Sequence, residues 1–129
     1  MTSKIGYIGL GLMGGAMVNR LLKNDFNVIV QGFRYFNVYG PYENHKGNQA
    51  SPYTKFTKQA KEEKIINVFE NSEDYKRDFV CVDDLCQVHE KMFSVDKTDI
   101  WNIGTGSSVS FESVARTIAD KHGAEIKYI

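Results

Sequence analysis

Near the N-terminus, Gly9-Leu10-Gly11-Leu12-Met13-Gly14 has the residue types and spacing to seat a phosphate. This G-x-G-x-x-G follows an apolar stretch, Ile5 to Ile8, and leads into a helical one. In that context Gly9 permits a tight turn, Gly11 lets backbone approach a pyrophosphate, and Gly14 lets helix and strand pack closely. Unpaired N–H groups at the helix start would face the anion. The candidate cofactor contacts are therefore Gly9, Gly11, Leu12, Met13 and Gly14. A tight strand–helix turn that holds no ligand needs the same glycines.

Other chemistry-bearing residues are sparse. Cys81 and Cys86 are the only cysteines, and with His45, His89 and His122 scattered they form no metal-ligand pattern. Tyr42-Glu43-Asn44-His45-Lys46 spells Tyr-x-x-x-Lys, but it follows Gly40-Pro41 in a turn-rich loop, so we read it as a coincidence of spelling. Asp83-Asp84 is expected to cap a helix.

The elements that must position these groups alternate. Ile5 to Ile8 reads as a strand, Leu12 to Lys23 as a helix from its apolar spacing, and Val28 to Val30 as a strand. Phe33 to Tyr39 reads as one strand, Tyr53 to Lys64 as an amphipathic helix, and Ile65 to Phe69 as a strand. Phe79 to Val82 is the next strand and Leu85 to Val95 the next helix. Ile100 to Ile103 is a strand ending in Gly104-Thr105-Gly106. A helix opens at Ser110 with Ser113 and stops at His122-Gly123, and Ile126 to Ile129 is a strand. Trp101 is expected in the core, and His89 and His122 on solvent-facing helix surfaces. The fold class is α/β with mainly parallel pairing, a partial Rossmann-like sheet with flanking helices.

At 129 residues one domain is expected, with 42% apolar and 25% charged residues. Sixteen basic side chains balance sixteen acidic ones, so no overall field favours nucleic acid or an anionic membrane. Lys4 and the following apolar run mimic a signal peptide, but five glycines between Gly6 and Gly15 make a poor helical core for one. No stretch has the length of a membrane span. A soluble chain in a reducing cytoplasm is expected.

Two resemblances emerge, and they meet at residue 31. Residues 1–30 resemble the N-terminus of the β-hydroxyacid dehydrogenases, which include hydroxyisobutyrate and 6-phosphogluconate dehydrogenases; GLGLMG with Met17 carries the likeness. From Gly32 onward, GFRYFNVYGP, HKGNQAS, KRDFVCVDD, NIGTG and SFESVA resemble the later half of extended short-chain dehydrogenases that epimerise nucleotide sugars. Within them the ADP-glyceromanno-heptose 6-epimerase group matches best. The resemblance implies transient oxidation of a sugar carbon with NADP and return of the hydride to the other face. It also implies a domain split: residues 1–30 as a βαβ dinucleotide-binding start, 33–129 as the nucleotide-sugar part.

Site roles follow from that second resemblance. Asn37 would contact substrate and Val38 would border the nicotinamide. Lys46 falls on the family's loop lysine, an acid/base beside the sugar. Asn48 stands where heptose epimerases carry a small hydroxyl, and Lys55 where some relatives carry a substrate-contacting His. Phe69, Glu70, Asn71 and Ser72 match a segment that wraps the nucleotide, with Asn71 replacing a glycine; a positive φ would suit Asn there. Arg77 matches an arginine that binds the nucleotide's phosphates, for which a guanidinium fork is suited. An acid that would bind the cofactor's 2′-hydroxyl is missing at Gln31-Gly32, and Arg34 follows, which leans to NADP, with NAD as the alternative.

One section of the family pattern is missing. The hydride step there depends on a helical Tyr-x-x-x-Lys, where i, i+4 spacing lets the ammonium lower the phenol's pKa. That section would fall between Val30 and Gly32. The expected function is a truncated or recombined relative of the epimerase, inactive as an isolated chain. A non-catalytic nucleotide or nucleotide-sugar binding module is the alternative, and a hydroxyacid dehydrogenase a third. At the junction itself, Gln31-Gly32 forms either a two-residue hairpin or part of a strand that runs through. Strand edges left uncovered would favour self-association with a second copy.

Overall fold

Phe36 divides what the sequence presents as one strand. The computed structural model describes residues 12–24 and 29–129. In chain order its elements are α1 (Leu12–Lys23), β1 (Gln31–Tyr35), β2 (Asn37–Tyr39), a 3-10 segment (Asn44–Gln49), α2 (Pro52–Glu62), β3 (Ile65–Val68), β4 (Lys76–Arg77), β5 (Phe79–Cys81), α3 (Val82–Met92), β6 (Asp99–Ile103), β7 (Val109–Ser110), α4 (Phe111–His122) and β8 (Glu125–Tyr128). β1 pairs in parallel with β6, from Gln31↔Asp99 to Tyr35↔Ile103. β2 pairs in parallel with β5, from Asn37↔Phe79 to Tyr39↔Cys81. Two bonds mark the change of partner: Phe36 N donates to Ile103 O at 3.0 Å, and Asn37 N donates to Asp78 O at 3.1 Å.

The junction at Gln31-Gly32 is not a hairpin, because β1 starts on it and its partner strand is parallel. Ile29 and Val30 lie outside regular structure rather than in the expected strand, and residues 25–28 lie outside the described residues. Val30 O still accepts from Asp99 N at 3.2 Å, so the β1–β6 pairing begins one residue early. Gln31 explains why a polar residue suits this point. Its Nε2 donates to Met92 O at 3.1 Å and Val95 O at 2.7 Å, satisfying a carbonyl beyond the end of α3 and adding a second bond to Met92 O, which also accepts from Val95 N. Gly32 admits Ile100 closely; a Cβ there would meet Ile100 Cγ1 at 3.2 Å.

α1 has the expected bounds. It carries no acid in its first turn and has Arg20 and Lys23 in its last, which complements the helix dipole. α3 corrects the reading of Asp83-Asp84. Its N-cap is Cys81 and the two acids sit within the first turn, so they act on the dipole and not as caps.

The hydrophobic core lies where α2 and α4 cover the parallel pair β3–β8. Phe56, Ala60, Ile66, Val68, Ala115, Ile118 and Ala119 form it, with Ala60 and Ala115 fully buried. Alanines at a helix contact let the two backbones approach, so that Phe56, Ile66 and Ile118 close the interior around them. Both helices begin with side-chain caps. Ser51 accepts from Thr54 N at 3.3 Å ahead of Pro52, and Ser110 accepts from Ser113 N at 3.0 Å. Gly123 ends α4 with φ +60. β4 and β7 form a short antiparallel pair, Lys76↔Ser110 and Arg77↔Val109, that ties the start of α4 to the strand before β5.

Candidate functional site

Register places the candidate site. Asn37 and Phe79 are partners across β2–β5, and Tyr39 lies two residues along, so all three share one face. Beyond Tyr39 and Phe79 is a cavity of about 340 Å³, walled also by Tyr53 of α2, Thr105 and Val109, and Thr117 of α4. Among the described residues, its walls carry apolar groups and hydroxyls and no charged side chain. Tyr39 and Tyr53 rings meet at 5.0 Å, and burial pushes the Tyr39 phenol up. The size suits a small-molecule ligand that offers a flat apolar face and neutral hydrogen-bonding groups.

The strand order sets Arg77 beside this cavity, since its register partner Val109 lines the wall. Arg77 is exposed, and among the described residues its guanidinium bonds only the neighbouring Lys76 O, at 2.8 Å. It forms no ion pair with Asp78 or Glu73, which leaves donors of the exposed guanidinium available to a ligand. The adjacent Asp78 has another task. Its Oδ1 accepts from Thr105 N at 2.9 Å and Thr105 Oγ1 at 2.7 Å, and its Oδ2 accepts from Gly106 N at 2.8 Å. The Thr105 backbone and hydroxyl bonds, then the Gly106 amide, hold its carboxyl below the usual range against partial burial. Asp78 thus fixes the Gly104-Thr105-Gly106 turn that forms one wall.

The other expected contacts spread around this centre. Asn37 is exposed, with Nδ2 donating to Asp78 O at 3.2 Å, and Val38 is half-buried. Phe69 packs edge-on to Tyr75 at 5.2 Å and against Phe111 at 5.8 Å; Phe111 meets Phe79 at 5.8 Å. This aromatic chain links the 69–72 segment to the cavity wall. Glu70 is exposed, and Asn71 has φ +60, the left-handed conformation that makes Asn a workable replacement for glycine. Ser72 is fully buried and its hydroxyl donates to Glu112 Oε2 at 3.2 Å, so its side chain serves the fold. Glu112 also accepts from Arg116 and from Tyr128 Oη at 2.9 Å, and these bonds, Arg116's first, keep its carboxyl low. Asn48 and Lys55 are exposed.

Lys46 lies in the 3-10 segment, its ammonium 3.1 Å from Glu43 Oε1. Tyr42 is 87% exposed with φ +72, off any helix, so Tyr42 and Lys46 do not share a helical face. Gly9 and Gly11 lie outside the described residues; Leu12, Met13 and Gly14 form the first turn of α1. Two expectations about aromatic and imidazole groups need correcting. His89 is half-buried, with Nε2 2.8 Å from Tyr35 Oη and its ring 4.6 Å from Phe33, because α3 packs beside β1. Trp101 is only half-buried and tilts against Phe33 at 5.9 Å. His122 too is half-buried, and that burial, helped by Lys61, Lys121 and Lys64, pushes its pKa down.

Sequence reasoning passed over Glu43, Asp78 and Glu112. For Asp78 the available signal was an acid directly before an alternating strand, with a Gly-Thr-Gly turn elsewhere needing an acceptor. Among the described residues no group of three or more His, Cys, Asp or Glu could hold a metal, and no helix is long and apolar enough to cross a membrane.

Comparison with known proteins identifies the lineage. The profile of the NAD dependent epimerase/dehydratase family matches residues 12–104, across the junction. An ADP-L-glycero-D-manno-heptose-6-epimerase from Brachyspira hyodysenteriae is 42% identical over 115 residues, 87% of this chain and 36% of that protein. The chain thus spans little more than a third of that relative's length. The crystal structure of the Helicobacter pylori ADP-L-glycero-D-manno-heptose-6-epimerase superposes with a TM-score of 0.75 at 30% identity, covering 88% of this chain and 37% of that one. The fold also matches UDP-glucose 4-epimerase from Thermotoga maritima, TM-score 0.71 at 24% identity, covering 91% and 38%. With its parallel strand pairs, covering helices and Rossmann-like neighbours, the chain belongs to the NAD dependent epimerase/dehydratase family of extended short-chain dehydrogenases.

Proposed function

We propose that this chain carries the nucleotide-sugar-binding part of an ADP-heptose-type epimerase and, by itself, binds an ADP-sugar without epimerising it. One observation carries the reading: an uncharged, hydroxyl-lined cavity of about 340 Å³ has Arg77 at its edge, in register with Val109 of the wall. The nucleoside would enter the cavity and the diphosphate would meet Arg77, with Asn37 and Lys46 turned to the sugar end. Asn48, Lys55 and the backbone of Phe69 to Ser72 are the remaining proposed contacts.

A nicotinamide cofactor fits in part. The first turn of α1 has no carboxylate to repel phosphate and includes Gly14, and half-buried Val38 offers an apolar edge. When bound, such a cofactor supplies hydride chemistry. The chain has no helical Tyr-x-x-x-Lys to move the proton that accompanies the hydride. NADP over NAD rests on exposed Arg34 and the missing acid at Gln31-Gly32. The two free thiols, Cys81 and Cys86, suit a reducing cytoplasm.

Calorimetric titration with ADP-mannose tests the binding. Saturable heat is expected, weakened about tenfold or more by Arg77→Ala, in line with a lost charge-assisted phosphate contact. Flat titrations with both ADP-mannose and NADP would overturn the reading. Epimerisation of an ADP-heptose by the purified chain, lost in Lys46→Ala, would overturn its non-catalytic half.

A further inference from the structure

Glu43 is the one buried charged side chain among the described residues, and the function proposed above gives it no role of its own. Its Oε2 accepts from the hydroxyls of Ser51 and Thr54, and its Oε1 accepts from Ser51 N at 3.3 Å and Lys46 Nζ at 3.1 Å. Ser51 is the N-cap of α2 and Thr54 lies in its first turn, so the carboxylate sits at a helix end that favours negative charge. Burial alone would raise its carboxyl; the Ser51, Thr54 and Lys46 bonds together bring it down to about 2. The backbone on either side is held in uncommon conformations, Tyr42 at φ +72 and Gly47 at φ +51, ψ −123. Such strain persists only where surrounding bonds over-determine it. The loop so held joins β2 to α2, and those elements furnish Tyr39 and Tyr53 of the cavity wall.

We propose that Glu43 is a positioning residue, a clasp that binds the 40–51 loop to α2 and fixes where that loop presents the Lys46 ammonium to an anionic ligand. The ligand's identity as a nucleotide sugar rests on the function proposed above; the clasp itself does not. The clasp differs from ordinary loop packing because its charge is needed. Glutamine in the same place can still exchange hydrogen bonds with Ser51 and Thr54, whose hydroxyls rotate to suit, yet has no charge to hold an ammonium.

The test is the rate of reductive methylation at each lysine, read by peptide mass spectrometry, in the ligand-free protein and in Glu43→Gln. The ratio of Lys46 to Lys58 is expected to rise about threefold in the variant, the range of a partly exposed ion pair, while Lys55 keeps its ratio to Lys58. An unchanged Lys46 ratio, or an equal rise at all three lysines, would overturn the clasp. Should Glu43→Gln not fold, Lys46→Gln is probed by chymotrypsin at exposed Tyr42: about threefold faster cleavage supports the clasp, and unchanged cleavage overturns it. Repeating the methylation with ADP-mannose separates the two proposals. Lys46 protection in the wild type that weakens in Glu43→Gln supports both, whereas no protection in the wild type counts against the ligand and leaves the methylation ratio to decide the clasp.

Discussion

Asp78 grips Thr105 twice through one oxygen, the backbone amide at 2.9 Å and the hydroxyl at 2.7 Å. The pair lies 27 residues apart in sequence and closes the turn that bounds the cavity. Thr105→Val, which keeps shape and removes the hydroxyl, is expected to cost about 1 kcal/mol in urea unfolding. Asp78→Asn should cost more, because an amide in place of a carboxylate turns a donor toward N–H groups that need acceptors. Equal midpoints for Asp78→Asn and wild type would show that the turn holds itself.

Gly104 has no room for a side chain. A Cβ there would lie 2.0 Å from Phe36 Cδ2 and 2.6 Å from Asp78 Oδ2. Gly104→Ala must displace both the ring at the strand's partner switch and the carboxylate of the turn, for about 3 kcal/mol of lost stability. Calorimetric melting checks this, and it should coincide with weaker ADP-mannose binding.

Asn71 occupies left-handed backbone at φ +60. Asn71→Gly is expected to leave stability within about 1 kcal/mol of wild type, while Asn71→Val should lose about 1–2 kcal/mol, the cost of forcing a β-branched residue into that region. Chemical denaturation of the two variants side by side decides it.

Acid should unfold the chain through named carboxylates. Glu43 is held down from 4.5 to about 2, and Asp78 and Glu112 are also lowered by the bonds described above. For each, the unfolded chain binds more protons than the folded one, so the stabilisation is complete above the ordinary carboxylate range. It is lost as pH falls, for Glu43 between about 4.5 and 2. Stability measured from pH 6 to 2.5 should therefore drop, and Glu43→Gln should flatten the slope below pH 4.5. A variant slope as steep as wild type would remove Glu43 from the account.

Local signals were legible where local physics decides. Leu12–Lys23 was read from apolar spacing alone, and α4 from Ser110 with Ser113 at its start and Gly123 at its end, because caps and left-handed stops are short-range bonds. The β-α alternation was readable for the same reason. Phe36 was not, because the break in strand 33–39 comes from two distant carbonyls, Ile103 O and Asp78 O, competing for adjacent amides. The Arg77–Val109 pairing is two residues long and carries no period to detect. Asp83-Asp84 misled because the helix starts at Val82, with Cys81 in extended backbone at the N-cap position and no side-chain cap, two to three residues nearer the strand than propensity suggested. The family's motifs named Asn37, Lys46 and Arg77, yet said nothing of Glu43 or Asp78, whose partners are visible only once loop and turn are folded.

The change of partner at Phe36 makes one stretch of chain a common ruler for two strand pairs. If β1 slipped a single residue along β6, Asn37 would leave Asp78 O and every side chain of β2 would move to the opposite face. With Phe36 alone between the two pairs, a slip in β1–β6 not taken up by a bulge there is transmitted to Tyr39 at the cavity wall.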